Sequence, residues 1–145
     1  TLYGDMCGAY SVLKDVNKTT VFELSRWRNQ THPPGAHGPS GRVMPEREIT
    51  KPPSAELKPN PTHQDTLPPY DALDDILQCL VEHERGMAEI VARGHKAETV
   101  NRVWRMLDRA EYKRRQAPPG VKLTRRSFGK DRRYPITNAF VDLLG

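Results

Sequence analysis

Proline is the residue that most constrains how this chain can fold. Of its 13 prolines, six lie between Pro52 and Pro69. Proline has no backbone N–H and a fixed φ, so a segment this rich in proline is unsuited to a helix interior or a central strand. A long loop without periodicity in a compact domain is usually functional or disordered. We therefore predict a mobile lid over residues 42–69.

Helical patterns lie on both sides of this segment. The predicted helices are Asn17 to Asn29, Tyr70 to Glu84, Gly86 to Arg93 and Glu98 to Gln116. Their apolar residues recur at helical spacing, and they are Val21, Leu24 and Trp27 in the first helix, Leu73, Ile76, Leu77, Leu80 and Val81 in the second, and Val100, Val103, Leu107 and Ala110 in the last. Asn17 can cap the first helix, and Gly94 can end the third in a left-handed conformation.

Positive charge is concentrated towards the end of the chain. The formal net charge is +5, and lysine and arginine cluster in Lys113-Arg114-Arg115 and from Arg125 to Arg133. A basic surface favours an anionic partner such as nucleic acid, a membrane or a phosphate-bearing small molecule, and charge alone does not choose among them. Taken alone, residues 113–115 are typical of a solvated helix face, where Glu111 can pair with Arg115.

The cysteines, histidines and glycines of the chain show neither the spacing of a metal site nor the pattern of a phosphate-binding loop. The two cysteines, Cys7 and Cys79, form no disulfide framework, which predicts a reducing compartment and therefore the cytoplasm. The five histidines lack the spacing of a zinc site. Residues 35–41 are glycine-rich without the Lys-Ser/Thr pair of a phosphate-binding loop. No apolar run approaches the roughly 20 residues of a membrane span, so no membrane partner is predicted.

Lys18 lies in the first turn of the first predicted helix. A cation there is slightly unfavourable unless an anion accompanies it, because the helix dipole is positive at this end. The helix start and the lysine together would suit a phosphate, although this observation alone is weak evidence.

Five ordered blocks of sequence, covering most of residues 3 to 138, carry a resemblance to a known family. They are Tyr3-Gly4-Asp5-Met6 with Leu13 to Thr19, Lys51 to Pro59, Leu67 to Asp71, Glu111 to Gly120, and Phe128 to Asn138. The chain resembles the NAD⁺ synthetases, most of all the bacterial two-domain form that uses glutamine. It departs from the family pattern at Cys7 to Tyr10, and at Pro61 and His63.

The resemblance implies an α/β fold of the Rossmann-like adenine nucleotide alpha hydrolase type, with this chain as its mostly helical C-terminal portion. Residues 1–145 are then the C-terminal part of a synthetase domain. Its expected parts are the loop and helix of an ATP site over 1–30, the lid over 42–69, helices over 70–116 and a basic tail over 117–145. The family's Ser-Gly-Gly-x-Asp-Ser pyrophosphate loop is not in this sequence. We therefore expect the chain alone to be inactive, and the Mg²⁺ ligands to lie upstream.

The implied activity is ATP-dependent amidation of deamido-NAD⁺ to NAD⁺ through an adenylated carboxylate, with ammonia that the full-length form takes from glutamine. By matching position, Lys18 and Ser54 contact ATP, and Asp5, Tyr112 and Lys113 hold deamido-NAD⁺; Asp5 and Lys18 are the implied catalytic residues. The family implies a homodimer or larger homo-oligomer. Two alternatives stay open, a basic nucleic acid-binding module without a specific target and an inactive fragment.

Overall fold

The computed structural model describes residues 9–50 and 67–137, and the chain divides into two units. The larger unit consists of residues 1–16 and 72–145, and the smaller unit of residues 17–71. The helices in the described ranges are α1 (Lys18–Gln30), α2 (Glu46–Thr50), α3 (Tyr70–Val81), α4 (Met87–Ala92), α5 (Ala97–Arg109) and α6 (Glu111–Gln116). Over these same ranges the β structure is an isolated parallel bridge between Ser11 and Gly120.

The core of the larger unit lies among α3, α4 and α5. The predicted stripes of α3 and α5 supply most of it, because each stripe places its side chains on one helix face, and α4 adds two residues that were in no predicted stripe. Its buried members are Ile76, Cys79, Leu80, Val81, Met87, Ile90, Val100, Val103 and Leu107. Burying one such aliphatic side chain contributes about 1.5–3 kcal/mol, so this cluster is the main stabilising element of the unit.

Local chemistry ends α3 and begins α4. The predicted helix over Tyr70 to Glu84 ends earlier, at Val81, and Glu84 adopts a left-handed φ of 50°. The Gly86 N–H then donates to the Glu89 carboxylate at 2.9 Å, which satisfies one of the free N–H groups at the start of α4. The prediction of Gly94 as a left-handed cap is confirmed, since its φ is +105°.

The predicted single helix over Glu98 to Gln116 is wrong. It is broken at Ala110, whose φ of −86° and ψ of 4° lie outside the helical region, so α5 and α6 are separate. Alanine is the best helix former, and local propensity therefore does not explain the break. α6 begins with Glu111, whose carboxylate is 1 % exposed and accepts the Tyr134 N–H from outside the helix, so the break coincides with a tertiary contact.

In the smaller unit, α1 matches its predicted range to within one residue, but the expected cap is wrong. Asn17 occupies the cap position without a side-chain capping hydrogen bond. The apolar residues at helical spacing are largely exposed, since Leu24 is 44 % exposed and Trp27 is 48 % exposed. Ser25 is the buried residue of α1, and its hydroxyl donates to the Val21 carbonyl at 2.8 Å.

The chain returns from α1 to α2 through a loop held by side chains of α1. Asn29 accepts from the N–H groups of Val43 and Met44 at 2.9 and 2.8 Å and donates to the Met44 carbonyl at 2.8 Å. Arg28 donates to the Pro39 carbonyl at 2.6 Å. α2 was not predicted, and it contacts α1 in this unit. It lies within the predicted lid, of which residues 51–66 are outside the described ranges, so the lid itself stays a prediction.

Candidate functional site

Lys18 is the first residue of α1 and its side chain is exposed. Its Nζ lies 5.3 Å from the centre of the Phe22 ring, one turn along the helix. The first turn of α1 contains no acidic residue, and Asn17 provides no side-chain cap. Neither the helix dipole nor the lysine is therefore offset by a carboxylate of this turn. Such an end can accept an anionic group from outside.

Helix α6 is fixed in place by a buried ion pair on one face. Glu111 is 1 % exposed and accepts from Arg114 at 2.7 Å and from Arg115 at 3.0 Å, which confirms the predicted pairing with Arg115. Arg114 also donates to the Leu107 carbonyl of α5 at 2.7 Å. Burial by itself raises the pKa of Glu111. Hydrogen bonds from the two guanidinium groups and the Tyr134 N–H lower this pKa by more than burial raises it, so it lies below its usual range.

The same face of α6 contacts the segment that follows it. The Arg114 guanidinium lies 5.4 Å from the centre of the Phe128 ring and 5.8 Å from that of Tyr134, close enough for cation–π attraction. Arg115 donates to the Tyr134 carbonyl at 3.1 Å. The interpretation of residues 113–115 as a solvated face is therefore wrong for Arg114, which is 7 % exposed.

Tyr112 and Lys113 occupy the other face of α6. A helix turns by about 100° per residue, so residues 111, 114 and 115 share one side while 112 and 113 lie on the opposite side. Both Tyr112 and Lys113 are exposed. The buried ion pair thus leaves the phenol and the ammonium exposed on the side of α6 away from it. This pair suits phosphate or ribose oxygens and an aromatic base.

Asp15 holds the chain that follows α6. Its carboxylate is 4 % exposed and accepts the N–H groups of Leu123, Thr124 and Phe128 at 2.8–2.9 Å, together with the Thr124 hydroxyl at 2.7 Å. Burial raises the pKa of Asp15, but these bonds outweigh it and keep the pKa below its usual range. The carboxylate is therefore charged, and residues 123–128 are wrapped around it.

Lys14 lies against the same segment. Its Nζ donates to the Pro118 carbonyl at 2.7 Å, and its side chain lies so close to Gly129 that a Cβ there would come within 2.8 Å of Cε. The Ser11 N–H donates to the Pro119 carbonyl at 2.8 Å. Residues 118–129 are thus held against residues 11–15. We call this set of contacts, made by Ser11, Lys14 and Asp15, the clasp.

Acidic residues hold much of the basic tail. Glu84 forms ion pairs with Arg126 and Arg132, and Lys122 pairs with Asp131. Arg132 also lies over the Tyr134 ring at 5.4 Å. Phe128 and Tyr134, the aromatic residues in the described part of the tail, therefore contact arginines of the same chain, whereas a nucleic acid-binding surface would leave them free to stack on bases. Over residues 9–50 and 67–137, no group of acidic, histidine or cysteine residues is arranged to hold a metal ion, and no helix is long and apolar enough to cross a membrane.

A sequence model described as NAD synthase matches residues 1–117. The chain belongs to the NAD synthase family. The glutamine-dependent NAD(+) synthetase of Rhodobacter capsulatus is 51 % identical over 142 residues, which are 98 % of this chain and 26 % of the relative. That of Xanthomonas campestris is 51 % identical over 140 residues, which are 97 % of this chain and 24 % of the relative. The chain thus spans about a quarter of the length of the curated NAD synthetases it matches.

A solved structure of glutamine-dependent NAD+ synthetase from Acinetobacter baumannii, in complex with adenosine diphosphate, is also similar to this chain. It is 45 % identical and covers 94 % of this chain and 22 % of the solved one. The TM-score is 0.48, which is too low for the superposition to support an argument about the fold. The family resemblance carried by the five sequence blocks is confirmed by the family match and by the curated relatives.

The structure describes only part of the site that the NAD synthase resemblance implies. Asp5 and Ser54 lie outside the described residues. Lys18 belongs to the smaller unit, whereas Tyr112 and Lys113 belong to the larger one, where they are adjacent on α6. Among these residues, only the consecutive pair Tyr112 and Lys113 lies in one described element, α6. The roles assigned to all of these residues stay predictions.

Sequence reasoning missed the residues that hold the site in place. Lys14 and Asp15 are within the block from Leu13 to Thr19, in which only Lys18 was given a role. The signal in the sequence was that Lys14 and Asp15 are adjacent charged residues in a predicted loop, where no neighbouring helical turn offers either of them a partner. The Glu111–Arg114 pair also had a signal, since the two residues are three apart in a helix.

Proposed function

We propose that the full-length protein containing this chain converts deamido-NAD⁺ to NAD⁺ with ATP and ammonia. The observation that carries the proposal is the match of residues 1–117 to NAD synthase, together with about 50 % identity to glutamine-dependent synthetases over nearly the whole chain. The proposed nitrogen source is glutamine, because these relatives are glutamine-dependent synthetases. The chemistry is activation of a carboxylate, because a carboxylate is a poor electrophile until an oxygen becomes part of a good leaving group.

In the proposed reaction, an oxygen of the nicotinate carboxylate attacks the α-phosphorus of ATP and pyrophosphate leaves. Ammonia then attacks the carbonyl carbon of the acyl-adenylate, and AMP leaves with the former carboxylate oxygen. Negative charge builds on the leaving pyrophosphate, so cations near it stabilise the transition state. Lys18 at the start of α1 suits this role, because it is exposed and no carboxylate of its own turn competes for it.

Tyr112 and Lys113 are proposed to bind the dinucleotide. Both are exposed on one side of α6, while the opposite side is fixed by Glu111 and Arg114. A fixed helix keeps the ammonium where it can meet a phosphate or ribose oxygen without reordering the backbone. The remaining proposed roles belong to residues outside the described ranges, with Asp5 at the nicotinate end and Ser54 at ATP. Residues 42–69 would exclude water from the acyl-adenylate.

Several wider features are part of the same proposal. The complete domain would have the Rossmann-like α/β fold, of which this chain supplies a mostly helical part, and it would form a homodimer or larger homo-oligomer. Mg²⁺ would be held by residues upstream, as the family resemblance implies. The cytoplasm stays our expectation for its location, on the cysteine content. The chain alone is expected to be inactive.

Lys18 provides the direct test of the proposed ATP site. In the full-length protein, Lys18→Ala should lower turnover on the order of 10²-fold, the effect of removing one charge-stabilising group from a transition state. Arg26→Ala is the matched control, because it removes one exposed positive charge from α1 two turns away from its start. It should leave the rate of NAD⁺ formation close to that of the unmodified protein. Near-normal turnover of Lys18→Ala would remove Lys18 from the site.

A nucleic acid-binding function is the alternative, and the ion pairs of the basic tail count against it. Arg126 and Arg132 are engaged with Glu84, and Phe128 and Tyr134 face Arg114. We therefore expect only weak binding to DNA or RNA that disappears as salt is raised, as for nonspecific phosphate contacts.

A further inference from the structure

A continuous set of contacts joins Asp15 to helix α6. Asp15 accepts the Phe128 N–H at 2.9 Å, and the Phe128 ring lies 5.4 Å from the Arg114 guanidinium. Arg114 in turn donates to the buried Glu111 at 2.7 Å. Asp15 touches neither Tyr112 nor Lys113 in this set. It acts on them through the segment that packs on the inner face of their helix.

Lys14 fixes the other end of the same helix. α6 ends at Gln116, and Lys14 Nζ donates to the carbonyl of Pro118 two residues later, at 2.7 Å. The lysine stem lies beside Gly120 and Gly129, each of which leaves room for it only because it has no Cβ. Any side chain at Gly120 or Gly129 would displace the lysine stem and weaken the hydrogen bond from Lys14 to the Pro118 carbonyl.

These contacts matter because α6 has only six residues. Helices shorter than about 12 residues are marginal by themselves, so the direction of α6 depends on groups outside it. Its inner face is held by Glu111 and Arg114, and its outgoing chain is held by the clasp. A shift of about 1 Å in a substrate-positioning element is enough to lower productive binding strongly.

We propose that Lys14 and Asp15 are positioning residues for the pyridine dinucleotide substrate, which act by fixing α6 and so the side chains of Tyr112 and Lys113. The proposal rests on the proposed function, since it takes the exposed face of α6 as the dinucleotide-binding face. It assigns no direct contact with substrate to Lys14 or Asp15. Their loss therefore changes binding of one substrate and leaves the activation chemistry in place.

Steady-state kinetics of the full-length protein, with deamido-NAD⁺ and ATP varied separately, test this proposal. Asp15→Asn weakens the acceptor of four hydrogen bonds, and Lys14→Met removes the Nζ donor while keeping an apolar stem beside the glycines. Each change should raise the KM for deamido-NAD⁺ on the order of tenfold, while the KM for ATP stays within about twofold. A general loss of folded protein would lower the rate at all substrate concentrations without this separation.

Asp75→Asn is the matched control, because it removes a carboxylate of the larger unit that holds Arg93 and His95. It should lower the melting temperature and leave both KM values unchanged. If Asp15→Asn does not fold, Lys14→Met decides the question, since it keeps the buried carboxylate.

Two further measurements separate this inference from the proposed function. Absence of NAD⁺ synthesis by the unmodified protein would overturn the proposed function. Lys113→Ala with an unaltered KM for deamido-NAD⁺ would remove α6 from the site and overturn the inference with it. Two outcomes would overturn the inference alone. In the first, Lys113→Ala raises the KM for deamido-NAD⁺ while Asp15→Asn and Lys14→Met do not. In the second, Asp15→Asn and Lys14→Met raise the KM for deamido-NAD⁺ and the KM for ATP equally.

Discussion

At the scale of single residues, much of the charge in the described part of this chain contributes to internal structure. Glu111 and Arg114 are both buried, and Arg114 donates to the Glu111 carboxylate at 2.7 Å. An ion pair of this kind is costly to break from one side, because the remaining charge stays buried without compensation. The sequence signals such a pair only by its spacing and gives no sign of its burial.

Glu111→Ala tests the weight of this pair. It should lower the free energy of unfolding of the chain by about 3–5 kcal/mol, because Arg114 would keep its burial and lose its carboxylate. Arg42→Ala breaks the Arg42–Glu46 pair, whose side chains are each 60 % exposed, and should change stability by less than about 1 kcal/mol. Urea unfolding of both variants measures the difference. Equal effects would show that Glu111 contributes no more than a surface ion pair.

At the scale of elements, the sequence predicts the helices well where a continuous apolar stripe packs into the core. α3 follows its predicted stripe, α4 lies within its predicted range, and Gly94 ends α4 as expected. The break at Ala110 was not predictable, because residues on both sides of it favour a helix and the contact of Glu111 with the Tyr134 N–H joins residues 23 positions apart. α2 was missed because it has five residues and one buried side chain, Ile49.

The clasp was also beyond prediction, because its contacts join residues more than 100 positions apart. The sequence blocks that carry the family resemblance include both sides of the clasp. The sequence of either block alone does not indicate that residues 11–15 contact residues 118–129.

Gly120→Ala tests the clasp as a structural element. A Cβ at Gly120 would clash with the Ser11 backbone oxygen and approach Lys14 Cδ to 2.9 Å, so the bridge between the two segments should open. Melting temperature should fall by several degrees, as expected for a loss of about 1–3 kcal/mol in a domain of this size. Gly86→Ala is the control, because the nearest atom to its Cβ would be 3.7 Å away and its φ of −70° suits alanine. A melting temperature unchanged by Gly120→Ala would show that the bridge is dispensable.

At the scale of the whole molecule, the net charge of +5 indicates an anionic partner without identifying it. The ordered sequence blocks make the identification, and the family match confirms it. The chain spans about a quarter of its curated relatives, so its proposed contribution is one part of a larger site. That contribution is Lys18 at the start of α1 and the Tyr112–Lys113 face of α6, with the clasp holding α6.

The most direct measurement follows oxygen from the substrate carboxylate in the full-length protein. Deamido-NAD⁺ labelled with ¹⁸O at both carboxylate oxygens is supplied with ATP and ammonia, and the products are analysed by mass spectrometry. We predict NAD⁺ and, for each NAD⁺ formed, one AMP that carries one ¹⁸O atom in its phosphate. Formation of ADP and phosphate, release of unlabelled AMP, or absence of NAD⁺ would contradict it.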